Sequence, residues 1–581
     1  MKKLGMKIVS IMLAISLIIG GGSMSLASAV EATQVLETVG LSIVEAIFTT
    51  LVGGLNLIVP DSKNFVKVSE RSLENFYEGT GEFKNEAEAG AKWSLGHAKA
   101  SLVPDDWQTH TYYLGGFIDP NNGMTNNVEE IIDDMQVRVI ALSDGSDAVN
   151  VFANIDCIGF SNGDIKEIRK ALVELLPDVK FDTINVSCTH THSCIDTQGL
   201  WTNLFPKLFK NLALSYIPVA EKERGADQAY MSFLTATVAD AMKRAVEGME
   251  TGTLTYAVKE INDEYFNNKN RTQSTSIIDE LARFVFTPDN AASKPTMIVN
   301  IAAHPDVAGL PVDDVDNGRD LSGDYIYYLG ERLEEKGYNF MFFNGAIAGI
   351  YEGRGPASDG VPTERRYEET LRYGHEIANM ALNLTNTVAQ IEANMTAEEK
   401  AIMEEEKAIG GERYTLWYEG WEPVTETVVE PYLNIKIKEA KIQVTNPLIQ
   451  LVGKLNLVNY AVCKENLKYY IFAEVGYMEV GGVKVALMPG EIVQDLVCGG
   501  ESLTSEGSFS FTDFSEKSVF ELFGEDTICF GLFNDSIGYV VPDNDYSMSL
   551  LGDHYQEMIS LGKYAGSTIL KTLAEIAAEV K

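Results

Sequence analysis

Cysteine is scarce in this chain: six residues among 581, at positions 157, 188, 194, 463, 498 and 529. That is too few for a disulfide scaffold, and a chain this long buries a large core without covalent staples. No C-x-x-C or comparable zinc-finger spacing occurs. Positive charge is also in short supply, with 46 Lys and Arg against 84 Asp and Glu and a net charge of −38. A surface this acidic repels nucleic acid and anionic lipid headgroups, so a nucleic-acid partner is excluded. Neutral substrates and divalent cations remain compatible with it. Long apolar runs are missing too. The apolar stretch at residues 8–19 is too short and wrongly flanked for a permanent membrane span. It follows the basic Lys2, Lys3 and Lys7 and precedes Ala27-Ser28-Ala29, the layout of a cleavable signal peptide over residues 1–29. No cysteine follows that site, which excludes a lipoprotein anchor. The expectation is a secreted, extracellular protein starting near Val30. Neither an internal repeat nor a low-complexity linker interrupts the rest.

What is present divides into three parts. Residues 30–92 form an apolar N-terminal helical segment (35–60) and a charged linker. That segment is either a helix packed on the main domain or a lipid-facing helix giving peripheral membrane contact through residues 35–60. The main domain spans 93–581. In it, residues 148–160 read as a strand, Ser161-Asn162-Gly163-Asp164 as a helix start, and Ile165, Ile168, Leu172, Leu175 and Leu176 as one helical face. Pro177 stops that helix, and 181–189 is the next strand, which completes a βαβ unit with parallel strands. A second unit follows from the strand at 296–303, the helix at 324–336 and the strand at 339–343. Residues 367–406 are helical and acidic. Runs at 434–442, 468–475 and 483–487 are β-rich, and the chain is helical from Tyr555. The fold class expected is α/β, with a mixed, largely parallel sheet, flanking helices, and a further antiparallel sheet toward the C-terminus.

Histidine is rare as well, seven in all, yet two occur together in Thr189-His190-Thr191-His192-Ser193, where an apolar strand runs out. Residues two apart on a strand share a face. Two aligned imidazoles begin a zinc ligand set, or supply a ligand and an acid/base neighbour; otherwise they are a polar strand end. His304 and Asn344 end two later strands, and open α/β sheets place their sites at such carboxyl ends. Pro489-Gly490-Glu491 leads a strand into a carboxylate, and Gly538-Tyr539-Val540 follows another apolar run. His97, His110 and His375 read as structural, and His554 as structural or at a site rim. Asp306 and Asp324 read as acceptors orienting the imidazoles, or, for Asp324, as an acid at a helix N-terminus. Cys188 and Cys194 either bridge or are two buried thiols.

Taken as an ordered set, these segments resemble the neutral/alkaline non-lysosomal ceramidase family, from about Trp93 to the C-terminus. The resemblance implies a Zn2+ ion held by His190, His304, Glu491 and Tyr539. It implies catalytic roles for His192, for Arg271 in Asn270-Arg271-Thr272, and for Tyr555, which would polarise the scissile carbonyl. The activity implied is hydrolysis of an N-acyl amide, ceramide-like lipid to sphingoid base and fatty acid, by zinc-activated water. The alternatives are a zinc hydrolase of another amide or ester, and a non-catalytic secreted binding protein. Two departures matter. The family has Ser-Gly-Pro where this chain has Ser193-Cys194-Ile195. Its GDVSP segment, with an active-site serine, is replaced by Phe343-Asn344-Gly345-Ala346-Ile347-Ala348-Gly349. The backbone of residues 346–349 is therefore expected to line the pocket. No counterpart of the family's C-terminal immunoglobulin-like module is expected.

Overall fold

The computed structural model describes residues 49–61, 65–116, 127–217, 220–270, 274–306, 308, 320–353, 366–411, 415–459, 462–548 and 554–580. The expected signal peptide, residues 35–48 and Arg271 lie outside them. The largest element is a nine-stranded sheet. Its strands are β1 (Trp93–Ser101), β2 (Gln136–Ser143), β3 (Val149–Ile155), β4 (Phe181–Cys188), β5 (Glu250–Glu260), β6 (Glu280–Pro288), β7 (Thr296–Ile301), β8 (Asn339–Asn344) and β9 (Thr427–Val429). They are ordered β8-β7-β6-β5-β1-β2-β3-β4, with β9 added to β5. A second sheet comprises β10 (Leu433–Gln443), β11 (Cys463–Glu465), β12 (Lys468–Val480), β13 (Val483–Leu487) and β14 (Ile528–Phe530), with Val66–Lys67 at its edge.

Side-chain alternation along the strands builds four layers. Val137, Val139 and Ala141 of β2 face helices α1 (Asn162–Leu175) and α2 (Gln228–Glu247). Met297, Val299, Phe340 and Phe342 face α3 (Asp324–Glu335) and α4 (Arg366–Asn383) in the same way. The alternate residues, Ile140, Leu142, Ile298, Met341 and Phe343, pack against Ile435, Ile437, Met478 and Phe530 of the second sheet. The outer face of that sheet is covered by α5 (Ala565–Glu579) through Ile569, Leu573 and Ile576. A period of two thus assigns each strand one face to helices and one to a sheet.

The α/β class, the mixed sheet, both βαβ units and the later sheet match the expectation, but the proportion of parallel pairing does not. Among the described residues of the large sheet only β3–β4 and β7–β8 run parallel, and its other pairs are antiparallel. Each βαβ unit makes one parallel pair, whereas short turns such as 144–148 and 289–295 reverse the chain. The second sheet is antiparallel through β10–β12–β13 and parallel at β13–β14.

Helix α1 begins as its sequence indicates, with the Ser161 side chain accepting from the Asp164 backbone N–H. Of the N-terminal apolar segment, residues 49–60 are described; 49–58 are helical, and Val52, Leu55 and Val59 are buried against Leu212, Leu451 and Leu455. It is packed on the main domain, although Leu57 stays 88 % exposed. The large sheet coils until its edge strands meet at their carboxyl ends. There Asn344 donates its side-chain N–H to the carbonyls of Cys188 (3.0 Å) and Thr189 (2.7 Å).

Candidate metal centre

Strand β4 ends at Cys188, so His190 lies just beyond it, with a left-handed backbone, φ +65°. That conformation is unfavourable for a residue with a Cβ, and two contacts hold it. The His190 backbone N–H donates to Cys157 O (3.0 Å), and its Nδ1 meets Ile158 O at 2.6 Å. His190 and His192 share the site, with ring centroids 5.0 Å apart, but the turn brings them together rather than strand alternation. His192 is pinned by its backbone N–H on Pro305 O (3.2 Å) and by Gly116, where any side chain would meet its Cβ at 2.6 Å.

His304 follows β7 and is fully buried; its Nδ1 lies 2.9 Å from Ile347 O and its backbone N–H donates to Ile350 O. Glu491 opens a two-residue strand paired in parallel with Tyr539–Val540, in register with Tyr539. Gly490, with φ +74°, lets the chain pass Gly538 O, which a Cβ would meet at 2.5 Å. This accounts for the Pro-Gly before the carboxylate.

The three segments converge. Glu491 Oε2 lies 3.3 Å from His190 Nε2 and 3.2 Å from His304 Nε2. Ligand atoms of His190, His192 and His304 lie within 4.8 Å of one another. His304 Nε2 and Glu491 Oε2, although close, make no hydrogen bond of proper geometry. A tetrahedral zinc with bonds of ~2.05 Å needs neighbouring donors about 3.3 Å apart, so the set fits such an ion. Both outward Nδ1 atoms rest on backbone carbonyls, which fixes Nε2 as the free donor. Tyr539 is buried beside them, its ring 6.5 Å from that of His304.

The electrostatics agree. Burial alone would raise the Glu491 pKa, but the close His190 and His304 imidazoles outweigh it and hold the carboxyl well below its usual range. Burial, then His190 and His304, push His192 well below the ordinary imidazole value, so it is neutral near pH 7. Burial, then the Glu491 charge, raises the Tyr539 phenol well above its usual value.

Tyr555, 47 % exposed, stands with its ring 6.0 Å from that of Tyr539. Both line a cleft of about 370 Å³ with His190, His192, Glu491 and Trp201. Arg271 lies outside the described residues; its neighbour Asn270 donates to Ala348 O (2.9 Å) and accepts from Gln556 (2.7 Å). A small apolar gap between the two sheets, lined by residues such as Leu142, Phe284 and Met478, belongs to the core.

One expectation needs correction, and several readings left open are decided. Residues 346–349 are not among those lining the cleft. They are buried behind it, where Ile347 O holds His304 and Ala348 N–H donates to Ile492 O. The acceptors that orient His190 and His304 are the backbone carbonyls of Ile158 and Ile347. Asp324 instead accepts from Ala308 (3.0 Å) and Tyr325 (2.6 Å) N–H groups at the start of α3. Of the two readings for Cys188 and Cys194, buried free thiols hold and the bridge does not. As expected, His97, His110 and His375 contact Phe340 O, Asp227 and Glu331 as structural residues, and His554, read as structural or at the rim, contacts Glu557 and does not line the cleft. Tyr351 escaped the sequence reading. Its ring stacks on that of His304, with centroids 4.8 Å apart. Trp201 and Gln198 escaped it too, their one signal being closeness to the histidine pair.

No protein-family model matches the sequence, and no curated protein matches it. Solved structures do. A neutral ceramidase from Pseudomonas aeruginosa superposes with a TM-score of 0.54 at 13% identity, covering 84% of this chain and 74% of that one. A ceramidase complexed with C2 superposes with a TM-score of 0.54 at 12% identity, covering 84% and 75%. The chain has the fold of a neutral ceramidase. Within that neutral ceramidase fold the buried histidines stand where separate strands run out toward one cleft, as the strand-end argument anticipates.

Proposed function

We propose that this protein is a secreted, zinc-dependent amidohydrolase that cleaves the amide bond of an N-acyl lipid of the ceramide type. One observation carries the proposal: a buried carboxylate oxygen 3.2–3.3 Å from two imidazole nitrogens, with His190 and Glu491 lining a cleft. Its setting, a fold shared with neutral ceramidases, supports the substrate class. His190, His304, Glu491 and Tyr539 would hold the ion. Zinc in such a site supplies Lewis acidity and lowers the pKa of water to about 7. Hydrolysis adds water across the C–N bond: oxygen joins the acyl carbon and a proton joins the departing amine, giving a fatty acid and a sphingoid base. His192, kept neutral by burial, is the group beside the centre suited to accept and return that proton. Tyr555 and Arg271 would face the carbonyl oxygen as it gains charge. No serine is needed, in keeping with the Ala346–Gly349 replacement. Among the described residues no helix is long and apolar enough to cross a membrane. Leu57, 88 % exposed on the 49–58 helix, would be the point of peripheral lipid contact for that segment.

One observation favours a second reading, a different amide or ester substrate. The segment at the family's serine position is turned into the core instead of toward the cleft. Metal analysis of the purified protein, with turnover of a fluorogenic N-acyl-sphingosine with and without chelator, decides between the two. Chelator-sensitive turnover is expected. Bound zinc without turnover would favour the second reading, and absence of bound metal would sink both.

A further inference from the structure

One buried donor of a cleft-lining residue has no acceptor among the described residues. Trp201 is 8 % exposed and lines the cleft with His190, His192, Tyr539 and Tyr555, yet among the described residues its buried indole Nε1–H makes no hydrogen bond. The fold satisfies comparable indoles elsewhere. Trp93 donates to Val429 O at 2.9 Å and Trp421 to Asn383 O at 3.1 Å. Nor is the loop that carries Trp201 loosely placed. Buried Asp196 accepts through Oδ1 from the backbone N–H groups of Gln198 (2.9 Å) and Gly199 (2.8 Å). Its Oδ2 accepts from the N–H groups of Trp201 (3.0 Å) and Thr202 (2.8 Å) and from the Thr202 hydroxyl (2.7 Å). A buried donor without a partner is costly to the folded state. A carboxylate gathering five donors to fix the loop that bears it makes a chance packing error a poor explanation.

We propose that Trp201 is a substrate-recognition residue whose indole N–H donates to an oxygen of the bound amphiphile, either a hydroxyl of the amine portion or the amide carbonyl. The inference rests on the amidohydrolase reading and adds a polar requirement next to the scissile bond. A ligand with an acceptor there completes the site, and one without it leaves the indole unpaired. Discrimination by a buried, otherwise unsatisfied donor is stronger than discrimination by apolar shape.

Trp201→Phe tests this, because it keeps an aromatic ring and removes only the donor and part of the ring area. Three readouts apply: thermal midpoint without ligand, bound zinc, and kinetics on two N-acyl amides that differ only in the hydroxyl beside the amide. The expected result is an unchanged or raised midpoint, unchanged zinc, and a KM raised roughly three- to tenfold, the worth of one net hydrogen bond. A rise confined to the hydroxylated amide identifies the hydroxyl as acceptor, and an equal rise on both identifies the carbonyl. An unchanged KM on both amides overturns the proposal, as does a lowered midpoint with lost zinc, which marks a packing residue. Equilibrium binding of the same amides to metal-stripped protein keeps the two readings separable. Binding that Trp201→Phe weakens, in a wild type that never turns over, sinks the amidohydrolase reading and leaves this one standing.

Discussion

At the scale of single residues, the site depends on atoms held just short of bonding one another. Glu491 Oε2 sits 3.2–3.3 Å from two imidazole nitrogens, a spacing that suits a shared ion better than a hydrogen-bonded pair. Glu491→Gln keeps the shape and removes the charge. It should weaken zinc binding by more than about 100-fold, since removing even an outer partner of a ligand typically costs 10–100-fold. Competition with a zinc-chelating dye measures it, and near-wild-type affinity would remove Glu491 from the ligand set. His192 is the contrasting case. His192→Ala should retain zinc while turnover falls roughly 10²–10⁴-fold, the usual contribution of one acid/base group. If His192→Ala loses metal as fully as His190→Ala, the set is His190, His192 and His304 with Glu491, and Tyr539 is only a neighbour.

Elements bring those residues together, and one buried ion pair ties them. Arg169 of α1 donates to both Glu474 carboxylate oxygens on β12 at 2.7 Å, and its Nε donates to Ile184 O on β4. It thus joins helix, large sheet and second sheet with both side chains wholly buried. Arg169→Met should cost about 3–5 kcal/mol in urea unfolding, because Glu474 would be left an unpaired buried charge. The double change with Glu474→Leu should recover much of that loss; equal losses would mean that the ion pair itself supplies the stability. The elements were largely legible in the sequence, and the reasons are physical. Strands β4, β7 and β13 and helix α1 carry the periodicity and stop signals that local chemistry imposes. The ligand candidates stood out because His190, His304 and Glu491 punctuate strand ends. Pairing direction was not legible, since it depends on which distant strands meet. Tyr351 was hidden for the same reason: its stacking on His304 comes from a three-residue strand paired with 266–268, a contact no local pattern encodes. The inward turn of residues 346–349 was likewise invisible, because small residues suit a cleft lining and a buried turn equally well.

For the whole molecule, the notable charges are those the fold suppresses. Burial raises Asp133, Asp324 and Glu376 to about 7 and Asp535 to about 8. Each folded pKa lies above the unfolded value near 4. The stabilisation from these groups is therefore full below about pH 4 and is lost as pH rises through 7 to 8. Repulsion within a chain of net charge −38 acts in the same direction. The thermal midpoint of metal-free protein should fall between about pH 6 and about pH 8.5. A flat or rising profile would mean that these carboxyls are already ionised in the folded state.

The distance along the chain between the centre's parts has a consequence for its birth. During synthesis the two neighbouring histidines emerge first, His304 more than a hundred residues later, and Glu491 and Tyr539 only near the end. Contacts this remote in sequence form late, because closing so much chain must precede any gain from them. A nascent polypeptide would thus offer a passing cation imidazoles without their carboxylate. Ion capture becomes a proofreading event, in which only a chain whose last third has docked can retain the metal, and retention certifies that docking.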